Sequence, residues 1–241
     1  CSRLINYLFG GIHMSTEAKA APRKRSKRLP LTYVIAIVPV AAALNIVGGY
    51  INGILKLPIF LDMIGTMVTA VVLGPWWGAL VGAITNIVGS FISGPIGLPF
   101  AVVNVAGALV WGYAHQMGWM SKNWNFFLVS VLVGVVCSLF AVPIYVFIFG
   151  GATGHFSDVM TAAFLAMGQN LIVSVFSSNI LVSLADKIIG SYVGLAIIEA
   201  LPVNLTENTR LPKAEGLNKI IIPVVGVVIG AAIILVFLAL Q

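Results

Sequence analysis

The side chains able to do chemistry are few, and most of them lie inside apolar stretches. Asp62 stands in the run Leu57-Pro58-Ile59-Phe60-Leu61-Asp62-Met63-Ile64-Gly65-Thr66. An ionisable group in such a run is costly to keep near lipid, which makes it a candidate ligand contact. Its structural reading is a helix N-cap, because it follows an extended proline-containing segment and could bond the free N–H groups of the next turn. Lys56 is near enough in sequence to pair with it. Asn45, Asn86, Asn104, Gln169, Asn170 and Asn179 make a second set. An amide both donates and accepts, so it can read a polar ligand without the cost of a buried charge. The alternative for each is a hydrogen bond between helices, worth about 0.6 kcal/mol on average. His155 and Asp158 follow a glycine-rich stretch that could form a lid over a pocket, or be a solvated turn.

Other chemistry is excluded by what is missing. No G-x-x-x-x-G-K-[ST] loop occurs, so the chain has no usual cradle for ATP phosphates. No H-E-x-x-H occurs, and His13, His115 and His155 are far apart in sequence. Neither a metal centre nor a bound cofactor is expected, because converging ligands are lacking. Cys1 and Cys137 give no disulfide framework, and Cys137 reads as a small packing residue.

The elements that must position these residues are membrane helices. The chain has 241 residues, 60% hydrophobic and 8% charged. Soluble domains carry roughly 25% charged residues. The apolar runs are continuous, without the alternation of a barrel wall. Spans are expected at about 31–54, 58–73, 76–93, 98–117, 126–149, 159–187 and 219–240. Gly74-Pro75, Ser93-Gly94-Pro95 and Gly150-Gly151 punctuate them. The stretch 191–201 is short for a span and reads as a cytoplasmic or interfacial helix.

Charge sets the expected orientation. Seven of the 13 basic residues precede residue 30. With the N-terminus inside, inner segments hold these seven plus Lys122, Lys187, Arg210, Lys213 and Lys219, and outer segments hold Lys56 alone. That bias supports seven spans with a cytoplasmic N-terminus and an outer C-terminus. A basic run flush against a span is a topology and lipid-contact signal, not a nucleic-acid site. Residues 10–14, Gly-Gly-Ile-His-Met, read as a junction with foreign sequence, so residues 1–13 are set aside. The expected organisation is a basic tail at 1–30, a core at 31–190, a linker at 191–218 and a further transmembrane helix at 219–241.

Small residues mark close helix approach. Gly74, Gly78 and Gly82 recur at four-residue steps, with Ala79 and Ala83 beside them. Such a face serves internal packing or an intersubunit contact. Trp76, Trp77, Trp119 and Trp124 read as aromatic-belt anchors.

The stretch from Asn45 to Asn86 resembles the substrate-binding S components of energy-coupling factor (ECF) vitamin transporters. The resemblance rests on L-K-L-P-I-F-L-D-M-I-G-T, followed by G-P-W-W-G-A-L-V-G. It is close over the first three spans and extends in general layout to about residue 190. It implies an all-α membrane protein: a six-helix S-component bundle, here with a seventh C-terminal helix. It implies capture of a B-group vitamin or precursor (riboflavin, pyridoxine, a thiamine precursor or cobalamin) from outside. It also implies partners: a transmembrane scaffold subunit and two ATPase subunits that use the ATP. The expected ligand residues are Asp62, Asn104, Gln169, Asn170, His155, Asp158 and Lys56. The expected docking residues are Ala36, Ala43, Gly78, Gly82, Ala79 and Ala83. The family's Ala-x-x-x-Ala in the first helix is absent, since Val40 follows Ala36 by four. Amides and aromatics with few charges suit a neutral or zwitterionic heteroaromatic ligand. A stand-alone secondary transporter usually keeps ionisable residues in the membrane, and Asp62 is nearly alone. A membrane-embedded enzyme or assembly factor lacks paired catalytic groups.

Overall fold

The computed structural model describes residues 30–212 and 218–239. Among them every regular element is helical. The elements are α1 (Leu31–Leu55), α2 (Ile64–Val72), α3 (Pro75–Ser93) and α4 (Ala101–Gln116), the last entered through a 3-10 turn at Pro95–Phe100. Then come α5 (Asn123–Pro143) with a π turn at Ile144–Ile148, α6 (Ser157–Ala166), α7 (Leu171–Ala200), the short α8 (Val203–Thr206) and α9 (Asn218–Ala239). Five stretches of the described residues are long and apolar enough to cross a bilayer: Leu31–Leu55, Pro75–Ser93, Pro95–Gln116, Asn123–Ile148 and Leu171–Ala200. The molecule is an all-α, multi-pass membrane protein. The basic tail and the junction at 10–14 lie outside the described residues, as does Lys213.

Two expected spans take a different form. In 58–73 only Ile64–Val72 is helical. Pro58 lacks an N–H and disfavours helical geometry at Leu57, so the chain cannot wind until it has passed them. Lys56 and Leu61 there have left-handed φ values of 51° and 58°. The expected span 159–187 is divided. Gly168, at φ 84°, separates α6 from α7. Helix α7 then runs 30 residues to Ala200. The expected boundary at residue 190 therefore falls inside a helix, and 191–201 is not a separate interfacial segment. Nothing in that stretch stops a helix before Leu201-Pro202. A helix of this length spans about 45 Å, against about 30 Å of hydrocarbon.

The bundle is organised around its shortest apolar helix. α2 packs on α1, α3, α4 and α7. Every residue from Gly65 to Val71 is buried. Met63, Met67 and Val68 join Trp111, Phe126 and Leu195 in the main core. Glycines allow the backbones to meet. A Cβ at Gly48 would strike the Leu61 carbonyl, and one at Gly65 would strike the Ala41 carbonyl. Gly78 lies on Ala70 of α2, and Gly82 on Asn104 of α4. The four-residue stripe on α3 is therefore used inside this chain. Gly78, Gly82 and Ala79 are buried and cannot dock a partner, which corrects that expectation, while Ala83 is half-buried. Ala36 and Ala43 are exposed on the outer face of α1. α9 lies along α7, with Gly226 over Tyr192 and Gly230 over Ile189.

These approaches yield a stability prediction. Gly65→Ala forces a methyl group into a backbone carbonyl that cannot turn away, and should cost on the order of 1–3 kcal/mol. Gly53→Ala, in α1 with nothing within 4 Å of the new methyl, should leave stability unchanged or slightly raised. Thermal unfolding of both variants in detergent measures the contrast.

Candidate ligand-binding cavity

Because α2 starts late, irregular backbone runs through the bundle from Lys56 to Met63. Inside a membrane such backbone survives only where protein satisfies it or it lines a cavity. Two side chains from other elements bond it, and a third caps the helix it leads into. Asp186 of α7 accepts from the backbone N–H groups of Phe60 (3.0 Å) and Leu61 (2.8 Å) through one oxygen. The His155 Nε2 lies 3.2 Å from the Ile59 carbonyl. The Gly65 N–H, in the first turn of α2, donates to Asn45 Oδ1 at 2.7 Å. Asn45 thus does the capping work assigned to Asp62 from sequence. Met63, the residue preceding α2, makes no side-chain cap.

Asn45 is fully buried and uses its whole amide. Its Nδ2 donates to Thr66 Oγ1 (2.8 Å) and Thr85 Oγ1 (3.1 Å). Thr66 Oγ1 donates on to Asn104 Oδ1 at 3.5 Å, the outer limit of such a bond. Asn104 Nδ2 donates to Asp62 Oδ2 at 3.0 Å. A continuous polar chain therefore runs from α3 through α1, α2 and α4 to the Asp62 carboxylate.

That carboxylate opens onto a cavity of about 390 Å³ between α1, α3, α4, α5 and α7. This volume lies within the range of small-molecule sites. Amides from four helices reach it: Asn45 and Asn52, Asn86, Asn104 and Asn179. Phe60, Phe100, Tyr145 and His155 supply ring surface. Phe60 stacks on His155 at 4.6 Å between centroids, and Phe100 meets Tyr145 edge-on at 5.0 Å.

The expected ligand residues separate into two groups. Asp62, Asn104 and His155 line the cavity. Gln169, Asn170, Asp158 and Lys56 are not among its lining residues. Asn170 caps α7, accepting from the Val173 N–H at 2.9 Å. Gln169 is exposed in the turn before α7. Asp158 accepts from the Thr153 (2.8 Å) and Gly154 (2.6 Å) N–H groups and so shapes the glycine loop. Lys56 donates to the Gly154 carbonyl at 3.3 Å rather than pairing with Asp62.

Sequence reasoning missed Asp186 and Lys187. It placed Lys187 in a cytoplasmic loop, yet both residues are buried, at 3% and 2% exposure, halfway along α7. Lys187 donates to Asp186 and sits 5.6 Å from the centre of the Phe60 ring. Lys187 lines the cavity. The signal that could have found them is the apolar pattern, which resumes at Ile188-Ile189 and continues to Ile198 without a stop. No group of three or more potential metal ligands occurs among the described residues. No family model, curated protein or solved structure matches the chain.

The loop over the cavity carries a pH-sensitive joint. The Ser157 N–H donates to His155 Nδ1 at 3.1 Å, which requires that nitrogen to be unprotonated. The neutral ring then carries its proton on Nε2 and donates to the Ile59 carbonyl. Burial lowers the imidazole's proton affinity below the ordinary 6.5, outweighing the nearby carboxylates. The folded pKa is thus below the unfolded one. Stability from this group is complete above about pH 6.5 and is lost as pH falls through the depressed folded value. Thermal unfolding of the wild type should weaken more steeply on acidification from pH 7 to 5 than that of His155→Gln. Parallel profiles would remove His155 as the cause.

Proposed function

We propose that this chain is the ligand-capturing S component of an energy-coupling factor transporter, taking up a water-soluble vitamin or its precursor. The observation that carries the reading is the cavity itself. It is built around the broken helix bearing the Leu57–Thr66 motif, and it gathers five asparagines and a carboxylate inside a membrane bundle. Its rim includes Gly154, His155 and Gly94, which belong to the loops read as outer. With Lys187 inside the bundle and Arg3 set aside with residues 1–13, ten basic residues are read as inner against Lys56 outside, which supports the same orientation. This reading puts the protein in a bacterial plasma membrane with a cytoplasmic N-terminus. The ATP-driven step belongs to a transmembrane scaffold and two ATPase subunits. The free face of α1 around Ala36 and Ala43 is the part of the expected docking surface that is still exposed.

Calorimetry of the purified full chain against a panel of B-group vitamins and precursors tests the capture step. One compound should bind at micromolar concentration or tighter, and Asn104→Ala should weaken it at least about tenfold, the equivalent of one good polar contact. Absence of binding across the panel overturns the proposal.

The charged groups in the bundle favour a second reading, an ion-coupled transporter acting alone. Asp62 has two ionisable companions in Asp186 and Lys187, where sequence showed it nearly isolated. Buried ionisable groups are the usual equipment of ion coupling. Against this stands the local role of Asp186, whose oxygens are engaged by Phe60, Leu61 and Lys187. Proteoliposomes containing only this chain discriminate. The S-component reading predicts no accumulation under an imposed pH gradient, and accumulation abolished by Asp62→Asn would establish the alternative.

A further inference from the structure

The cavity's cationic and anionic side chains are not paired with each other. Among the described residues Lys187 is the one lysine or arginine lining it, and its ammonium donates to Asp186. Asp186 in turn lies behind the wall, fixing the Phe60 and Leu61 backbone. Asp62 faces the cavity with a neutral amide, Asn104, as its hydrogen-bonding partner. Two carboxylates thus share one ammonium, and the ammonium is committed to the carboxylate that the cavity does not reach. Among the described residues His155 is the remaining side chain on the wall whose ordinary pKa is near neutrality. Its Nδ1 accepts a backbone N–H, so it adds no positive charge in this arrangement.

Two more side chains are unfinished. Asn179 is 1% exposed and Asn52 is 6% exposed. Each lines the cavity and leaves one polar atom without a hydrogen bond, Nδ2 of Asn179 and Oδ1 of Asn52. The two ends of an amide are interchangeable at fixed position, so the secure point is one spare polar atom on each. A buried polar atom without a partner costs about 1–3 kcal/mol. A ligand that supplies the missing partners recovers that cost.

We infer that the cavity takes a small organic monocation with a flat ring, whose charged edge pairs with Asp62 while polar ring substituents complete Asn52 and Asn179. The inference rests on the ligand-capture reading and narrows it. It departs from the neutral or zwitterionic ligand expected from sequence, because that expectation lacked Asp186 and Lys187. A zwitterion would need a cation for its anionic end, and the charge of Lys187 is already matched by Asp186. Phe100 and Tyr145 add aromatic surface to the wall, and aromatic rings attract cations and stack flat ligands. Electrostatic pairing in a water-poor site separates ligands by charge more sharply than shape does.

Three isosteric probes test charge at constant shape: benzamidine, cationic at neutral pH, neutral benzamide, and anionic benzoate. Binding to the full chain in detergent is read by ligand-observed NMR. Benzamidine should bind at least about tenfold more tightly than either isostere. Asp62→Asn should abolish the difference, and Asp62→Glu should retain it. The wild-type comparison stands alone should Asp62→Asn fail to fold. Tighter binding of benzamide or benzoate, or equal binding of all three, overturns the monocation inference and leaves ligand capture intact. If no probe binds, the inference falls; ligand capture falls with it only when the vitamin panel is also silent.

Discussion

Between α1 and α2 the backbone from Lys56 to Met63 forms no helix, yet it sits within a bundle whose surroundings are lipid. Every N–H and C=O there must find a partner, since an orphan would cost several kcal/mol. Two partners come from far away in sequence, Asp186 from α7 and His155 from the loop before α6, while Asn45 from α1 caps the helix that follows. Each is a polar residue placed where an apolar one would otherwise fit. Much of the polarity in the core follows from this one segment. The segment also holds Leu61 in a left-handed conformation, which costs about 1–2 kcal/mol for a residue with a Cβ. The paired bonds from Asp186 offset that cost and fix the turn that faces Asp62 to the cavity.

Using a carboxylate as the backbone anchor creates a second demand. A lone buried charge is far more costly than a buried pair, so Asp186 needs a cation close by. Lys187 supplies it from the next position on the same helix. The pair must then be kept from lipid on its other side. α9 lies there, with Gly230 against Ala185 and Ile189 beside the pair and Gly226 against Tyr192 further along α7. The C-terminal helix, which from sequence looked like an addition to a six-helix core, covers the stretch of α7 that carries the buried ions. The pairing stabilises the segment, and it leaves Asp62 as the carboxylate whose charge the protein does not neutralise.

Much of this was legible in the sequence at the level of class and little at the level of partners. Low charge and long apolar runs identify a membrane bundle without ambiguity, and Pro58 with Gly74-Pro75 marks where the second span is interrupted. Asp62 and Asn104 stand out because polar groups are rare in such runs. Asp186 and Lys187 did not stand out. They occur as an adjacent pair near the end of an expected span, and an i, i+1 pair at a span end reads as an interfacial flank. The helix in fact runs to Ala200, and the apolar pattern that resumes at Ile188-Ile189 is a weak cue to set against a span already long enough at about 20 residues. Asn170 misled for the opposite reason. It looked like a pocket amide but is an N-cap, and the irregular Gly168-Gln169 turn before it was the missed cue. The α3 glycines were legible as a contact face, but spacing alone cannot say whether the neighbour is the same chain or another.

The glycines and the asparagine hub are two halves of one arrangement. Asn45 is a short side chain and reaches the Gly65 N–H at 2.7 Å because the two backbones are nearly in contact. That contact exists because Gly65 offers no Cβ to the Ala41 carbonyl, and Gly48 offers none to the Leu61 carbonyl. With any larger residue, α1 would move outward and the amide would lose Gly65, Thr66 and Thr85 together. Three interhelical bonds at about 0.6 kcal/mol each amount to roughly 2 kcal/mol, a modest sum. Their positional effect is larger. Through Thr66 and Asn104 the same amide orients the group that holds Asp62. Close packing of α1 against α2, which in most membrane bundles serves association alone, here also sets the direction in which the cavity's carboxylate points.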